Sequence, residues 1–162
     1  MDRLWAPWRM KYIQGVHKDS GCIFCTKPAE TKDKENLILL RGRKAYVLMN
    51  LFPYNNGHLM VVPYLHTCKM EDLEAETVAE MWDLCRLSIS VLSEAFGAEG
   101  FNVGLNLGRV AGAGIDQHIH MHIVPRWNGD TNFMPVTGQT KVISQSLEEA
   151  YGILLPHFQG SA

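Results

Sequence analysis

The chain has 162 residues, 46% hydrophobic and 20% charged, enough for one domain with a substantial core and too few for two ordinary ones. A formal net charge of -2 provides no global basic field and argues against a long nucleic acid held through its phosphates, while a small anion held by local donors stays open. No apolar run of about 18 residues is present to span a bilayer, and the opening MDRLWAPWRM lacks the apolar stretch of a signal peptide, so a cytoplasmic protein with no membrane partner is expected.

In chain order, the polar 15–35 segment contains Gly21 and Pro28 and ends in Lys32, Asp33, Lys34 and Glu35. It reads as a loop carrying Cys22 and Cys25. Four cysteines in a cytoplasmic chain argue against a disulfide framework. The spacing Cys22-Ile23-Phe24-Cys25 suits metal binding or redox chemistry, with a plain reduced pair as a third reading. Short apolar runs at 37–40, 45–49 and 58–63 are separated by Arg41-Gly42-Arg43 and Phe52-Pro53-Tyr54-Asn55-Asn56-Gly57, which predicts antiparallel strands in a meander. Between 71 and 96 the apolar period becomes helical through Leu73, Val78, Met81, Leu84, Val91 and Leu92, with Gly97 as the stop. Cys85, among Trp82, Leu84 and Leu87, is expected to be a buried, inert thiol. Alternation at 101–105 and again at 118–124 predicts two further strands, joined by a glycine-rich loop at 108–114. The 146–155 stretch suggests a short closing helix.

The chemistry-bearing feature is His118-Ile119-His120-Met121-His122. Alternate residues of a strand share a face, roughly 6.5–7 Å apart, so the three imidazoles point one way while Ile119, Met121 and Ile123 point into the core. Such a face can be three histidines satisfied by backbone carbonyls, a catalytic metal site, or a nucleophile with supporting donors. In the nucleophile reading His120, flanked by imidazoles on both sides, attacks a phosphorus, and a carbonyl partner must fix its tautomer. His122 then donates to phosphate oxygens and Asn106, ending the neighbouring strand, supplies a neutral donor. Backbone amides of the 108–114 loop, including those of Gly112 and Gly114, can approach an anion closely because glycine has no Cβ. The plain alternative for that loop is a flexible connection.

The stretch His118-Ile119-His120-Met121-His122-Ile123-Val124 resembles the His-φ-His-φ-His-φ-φ signature of the histidine-triad (HIT) family. Similarity extends through 46–50, Asn56-Gly57-His58-Leu59-Met60-Val61-Val62-Pro63 and 101–127. Leu4-Trp5-Ala6-Pro7-Trp8-Arg9-Met10 and the 125–133 stretch resemble the bacterial branch of dinucleoside tetraphosphate (Ap4A) phosphorylases. The resemblance implies an α+β HIT fold: an antiparallel sheet of about five strands, one long helix and a shorter C-terminal helix. It implies a single domain over 1–162, with an N-terminal knuckle segment at 1–35 and a C-terminal extension at 136–162, assembled as a homodimer.

The implied reaction cleaves a nucleoside 5'-phosphoanhydride or phosphoramidate through a nucleotidyl intermediate on His120, resolved by water or inorganic phosphate. By position, Asn50 resembles the ribose-contacting residue, Asn106 the phosphate-side amide and His122 the phosphate-binding third histidine, with Leu48 and Phe52 as base-pocket candidates. Some relatives hold a structural zinc on positions matching Cys22, Cys25, His66 and His118, a closed Cys2His2 set. His58 is expected to be a structural hydrogen-bonder. Many relatives carry Ser, Thr or Gln shortly before the first triad histidine, whereas this chain has Ala113-Gly114-Ile115-Asp116-Gln117, so backbone amides or an inward-turned Gln117 must assist. The rival readings are a zinc hydrolase using the triad as ligands and a non-catalytic nucleotide-binding module. Trp5, Trp8 and Trp127 are open to core, dimer-contact or base-stacking roles.

Overall fold

Five strands form one sheet: β1 (Ile38–Arg41), β2 (Ala45–Met49), β3 (Leu59–Pro63), β4 (Gly100–Leu105) and β5 (Met121–Arg126). Their order is β1-β2-β3-β5-β4 and every pairing is antiparallel. The computed structural model describes residues 21–132, 134–138 and 142–160; Trp5, Trp8 and the rest of the 4–10 stretch, with His17 and Phe133, lie outside the described residues.

The period-two pattern decides which residues meet. Val47, Met49, Leu59, Val61, Met121 and Ile123 form one face and bury against the long helix α3 (Ala75–Phe96) and the closing helix α5 (Leu147–Gln159). In α3 the buried residues Thr77, Met81, Leu84, Cys85, Ser88, Val91 and Leu92 recur at the expected three- and four-residue steps, and Gly97 ends the helix at φ 61°. Cys85 is buried in this core and burial pushes its thiol pKa up, as expected of an inert cysteine. Helix α5 begins on a capping box between Ser146 and Glu149 and runs to Gln159 through Pro156, longer than the 146–155 reading.

The opposite face carries Tyr46, Leu48, Met60 and Val62, which pack with Phe24, Ile38 and Ile115 in a second, smaller cluster. Its cover comes from a segment read from sequence as a loop. Within 15–35 the described part instead forms α1 (Ile23–Ala29) and α2 (Asp33–Asn36). The Cys22 carbonyl accepts from the Cys25 and Thr26 N–H groups and from the Thr26 hydroxyl, which closes the first turn of α1. Burial of Phe24 supplies the tertiary anchor that a seven-residue helix needs. Met134–Thr137 forms a further short helix, α4.

Candidate functional site

The three triad histidines share a face, as the alternation requires, but they are not on an open surface: His118 is 1% exposed, His120 6% and His122 8%. The strand is also shorter than the 118–124 reading. β5 starts at Met121, and residues 118–120 lead into it without belonging to a strand, with the Ile119 N–H donating to the Thr67 carbonyl at 2.8 Å.

Each ring has a tautomer fixed by its neighbours, assigned here from the hydrogen-bond network. His120 Nδ1–H donates to the His118 carbonyl at 2.8 Å, which leaves the Nε2 lone pair free of the proton. Burial lowers the His120 pKa, against the opposing pull of that carbonyl, and keeps the ring neutral. For His58, the Tyr54 N–H donates to Nδ1 at 3.0 Å, so the ring carries its proton on Nε2. That proton faces His122 Nδ1 at 2.9 Å. Neutral His122 therefore holds its own proton on Nε2, as a donor. Burial above all, then His122 and His120, bring the His58 pKa down to about 3, so His58 stays neutral at physiological pH. The Tyr54 ring lies over this pair, 4.5 Å from His58 and stacked 5.6 Å from His122.

The pairing follows from register. Met60 lies opposite His122 across β3 and β5, and Leu48 opposite Met60 across β2 and β3. Asn50, one residue beyond β2, bonds through its backbone N–H to the His58 carbonyl. Its Oδ1 accepts from the Phe52 N–H at 2.9 Å, and its Nδ2 lies 3.4 Å from His58 Nδ1. Leu48 is buried beneath the triad face, whereas Phe52 stands on the rim, 51% exposed. Asn106 directly follows Leu105, the partner of Met121, at the end of the edge strand β4.

The glycine loop is more ordered than a flexible connection. It contains a 3-10 turn at Arg109–Ala111, and the N–H groups of Ala111, Gly112 and Ala113 bond to the loop's own carbonyls at Gly108 and Arg109. Those three amides are thus engaged within the loop. Gly114 and Gln117 are exposed, and Asp116 pairs with Arg109 at 3.2 Å. Trp127 donates its indole N–H to the Phe96 carbonyl at the end of α3, a structural role. Sequence reasoning did not find Tyr54 or Phe24, whose ring packs 4.9 Å from His120. Neither carries a residue-type signal; only their neighbours make them part of the site.

Cys22, Cys25, His66 and His118 converge, with one ligand atom from each lying within 4.8 Å of the others. Cys22 Sγ is 3.2 Å and Cys25 Sγ 3.6 Å from His118 Nδ1, while His66 Nδ1 is 3.3 Å from both Cys25 Sγ and His118 Nδ1. A tetrahedron built on ordinary Zn–S and Zn–N bonds has edges of roughly 3.3–3.8 Å; the four contacts of 3.2–3.6 Å are close to it, the remaining pairs lie within 4.8 Å, and the Cys2His2 chemistry suits zinc. His118 Nε2–H donates to the Pro63 carbonyl at 2.9 Å, which turns the Nδ1 lone pair toward the cluster. Burial, then the neighbouring Cys22, raise the Cys25 thiol pKa.

The HIT domain matches residues 31–129, and the chain belongs to the HIT family. It is 40% identical over 161 residues to the AP-4-A phosphorylase of Mycobacterium tuberculosis, covering 95% of this chain and 83% of that one. It is 32% identical over 108 residues to an adenosine 5'-monophosphoramidase of Schizosaccharomyces pombe, covering 67% and 76%. Among solved structures, a Zn-bound histidine triad family protein from Mycobacterium smegmatis superimposes with a TM-score of 0.69 at 25% identity, covering 87% of this chain and 95% of that one.

Proposed function

We propose that this chain is a nucleotidyltransferase that cleaves dinucleoside polyphosphates, with inorganic phosphate as acceptor, through a nucleotidyl intermediate on His120. The carrying observation is the fixed tautomer of His120, whose Nδ1–H is committed to the His118 carbonyl. Its Nε2 attacks the α-phosphorus, an N–P bond forms, and the bond from that phosphorus to the bridging oxygen breaks. The ring becomes cationic during this step, and the His118 carbonyl stabilises the charge. The His122 Nε2–H, aligned by His58, donates to the phosphoryl oxygens, with Asn106 as a second donor. Phosphate then attacks the same phosphorus and releases His120. From Ap4A the products are ATP and ADP; with water in place of phosphate they are ATP and AMP. Asn50, Leu48 and Phe52 are proposed for ribose and base, and Gly114 and Gln117 for the phosphate side of the loop; Gly112, expected there as well, has its N–H held by the Arg109 carbonyl.

The similarity to a phosphorylase over 95% of the chain favours phosphate as acceptor. Zinc is proposed at Cys22, Cys25, His66 and His118, where it would act as a structural clamp. The reading of the triad as the metal set is disfavoured. His120 Nδ1 is engaged with a carbonyl and His122 Nδ1 with His58, and the one metal-competent cluster among the described residues uses only His118 of the three. We further propose a homodimer through the open edge at β4, where Asn102, Val103 and Gly104 are exposed, and a cytoplasmic location that keeps the knuckle thiols reduced. No described helix is long and apolar enough to cross a membrane.

The test is product analysis of labelled Ap4A with and without inorganic phosphate, in wild type and His120→Ala. ADP that depends on phosphate supports the proposal. AMP alone would move the assignment to a hydrolase, and absence of cleavage by zinc-loaded wild type would overturn it in favour of a binding module.

A further inference from the structure

The segment bearing His120 precedes the β5 ladders and is held by other contacts. The ladders of β5 with β3 and with β4 both begin at Met121, which pairs with Val61 and Leu105. Residues 118–120 are held instead by the Thr67 carbonyl on Ile119, by the Pro63 carbonyl on His118, and by the convergence of His118 on Cys22, Cys25 and His66. The remaining anchor is Phe24. It lies between the two cysteines on α1 and is 2% exposed. Its ring packs tilted at 42° on His120 at 4.9 Å and edge-on to His118 at 5.6 Å, while its carbonyl accepts from the Tyr46 hydroxyl at 2.8 Å. On its other flank His120 meets the His122 ring at 4.8 Å.

Two facts make this contact more than packing. Helix α1 has seven residues and its N-cap, Cys22, makes no side-chain cap, so its place depends on tertiary anchors. Those present are burial of Phe24, the Tyr46 hydroxyl on the Phe24 carbonyl and Arg41 on the Pro28 carbonyl, to which a metal would add ties from both thiols to His66 and His118. A hydrogen bond to one ring nitrogen also leaves the plane of an imidazole adjustable, and packing on the ring sets that plane.

We propose that Phe24 is a positioning residue for His120, held by the Cys22–Cys25 knuckle, so that metal binding at the knuckle and the aim of His120 Nε2 are coupled. This rests on His120 being the nucleophile. Loss of the metal removes the ties of α1 to His66 and His118, loosens the seat of Phe24 on the His120 ring and lets that ring leave its attacking orientation. Because Phe24 is not itself a ligand, the coupling can be cut with the donor set intact.

The experiment compares long-range 1H–15N imidazole spectra of zinc-loaded wild type, the same protein after chelation, and zinc-loaded Phe24→Leu and Phe24→Ala. The expected result is a single Nδ1–H form of His120 in loaded wild type. In Phe24→Leu, with a full equivalent of zinc and unchanged His58 and His122 signals, His120 becomes a mixture of forms, and kcat falls about tenfold to a hundredfold with little change in KM. Chelation moves His120 the same way. Leucine keeps most of the apolar volume, so this variant decides the matter if Phe24→Ala does not fold. Unchanged His120 signals and kcat in loaded Phe24→Leu, or a His120 spectrum indifferent to chelation, would overturn the proposal. If wild type transfers no nucleotide, the function assigned to His120 fails, while the spectra still decide the coupling.

Discussion

Replacing His58 with Phe removes the donor to His122 Nδ1 while keeping most of the buried ring volume. In the wild type that contact is 2.9 Å long, and His58 is 1% exposed, so solvent does not readily replace it. Leaving a buried acceptor unsatisfied costs about 1–3 kcal/mol. His122 can escape that cost by moving its proton to Nδ1, but it then loses the Nε2–H that faces the phosphoryl group. Either way the loss falls on the transition state, where phosphoryl charge is greatest, and at 1.4 kcal/mol per factor of ten it corresponds to roughly a 5–150-fold drop in kcat/KM, carried mainly by kcat. His58→Gln should recover much of this, because its amide can donate to His122. The assay is steady-state cleavage of Ap4A with saturating phosphate, alongside zinc content and a thermal melt to show that the variants are folded. A folded His58→Phe with kcat/KM within twofold of wild type would refute the relay.

The same histidine makes stability pH-dependent. Its folded pKa of about 3 lies below the roughly 6.5 of the unfolded chain, so the unfolded state takes up the proton first as pH falls. Its contribution is complete above about pH 6.5 and is lost at up to ~1.4 kcal/mol per pH unit on the way down to about 3. Urea midpoints between pH 7 and 5 should fall less steeply in His58→Gln than in wild type; parallel curves would contradict the burial argument. Cys22→Ser should lose most of its bound zinc and melt earlier, while His120→Ala keeps a full equivalent; the reverse pattern would place the metal on the triad. Gly57 has φ +69°, and a Cβ there would meet Phe96 and Leu92 at 2.9–3.0 Å. Gly57→Ala should therefore cost about 2–4 kcal/mol and lower Tm by roughly 5–15 °C, and a shift under about 2 °C would show that the turn relaxes freely.

The strands and α3 were legible because their apolar periods are long relative to their ends and are punctuated by turn residues at Gly42, Gly57 and Gly97. The face carrying His118, His120 and His122 was legible for the same reason. What alternation could not show was where the ladder starts: residues 118–120 lie before it, and their hydrogen bonds go to Thr67 and Pro63. Helix α1 was missed because seven residues containing Pro28 carry too little period to outweigh the surrounding polar residues; burial of Phe24 and closure on Cys22 decide its form. His58 was legible as a hydrogen-bonder but not as the partner of His122, since the two lie 64 positions apart and meet only through the β3–β5 register. The loop amides were expected to face an anion, whereas three of them close the turn at Arg109–Ala111.

The central claim is covalent transfer through His120 Nε2. Rapid acid-free quenching of zinc-loaded protein mixed with Ap4A in the absence of phosphate, followed by peptide mapping and 31P NMR, reads it directly. The account predicts an acid-labile adenylyl group on the His118–Arg126 peptide, attached at His120 Nε2, absent in His120→Ala and discharged as ADP when phosphate is added. Turnover that proceeds at full rate in His120→Ala, or label that maps to His122 or to Nδ1 of His120, would contradict it.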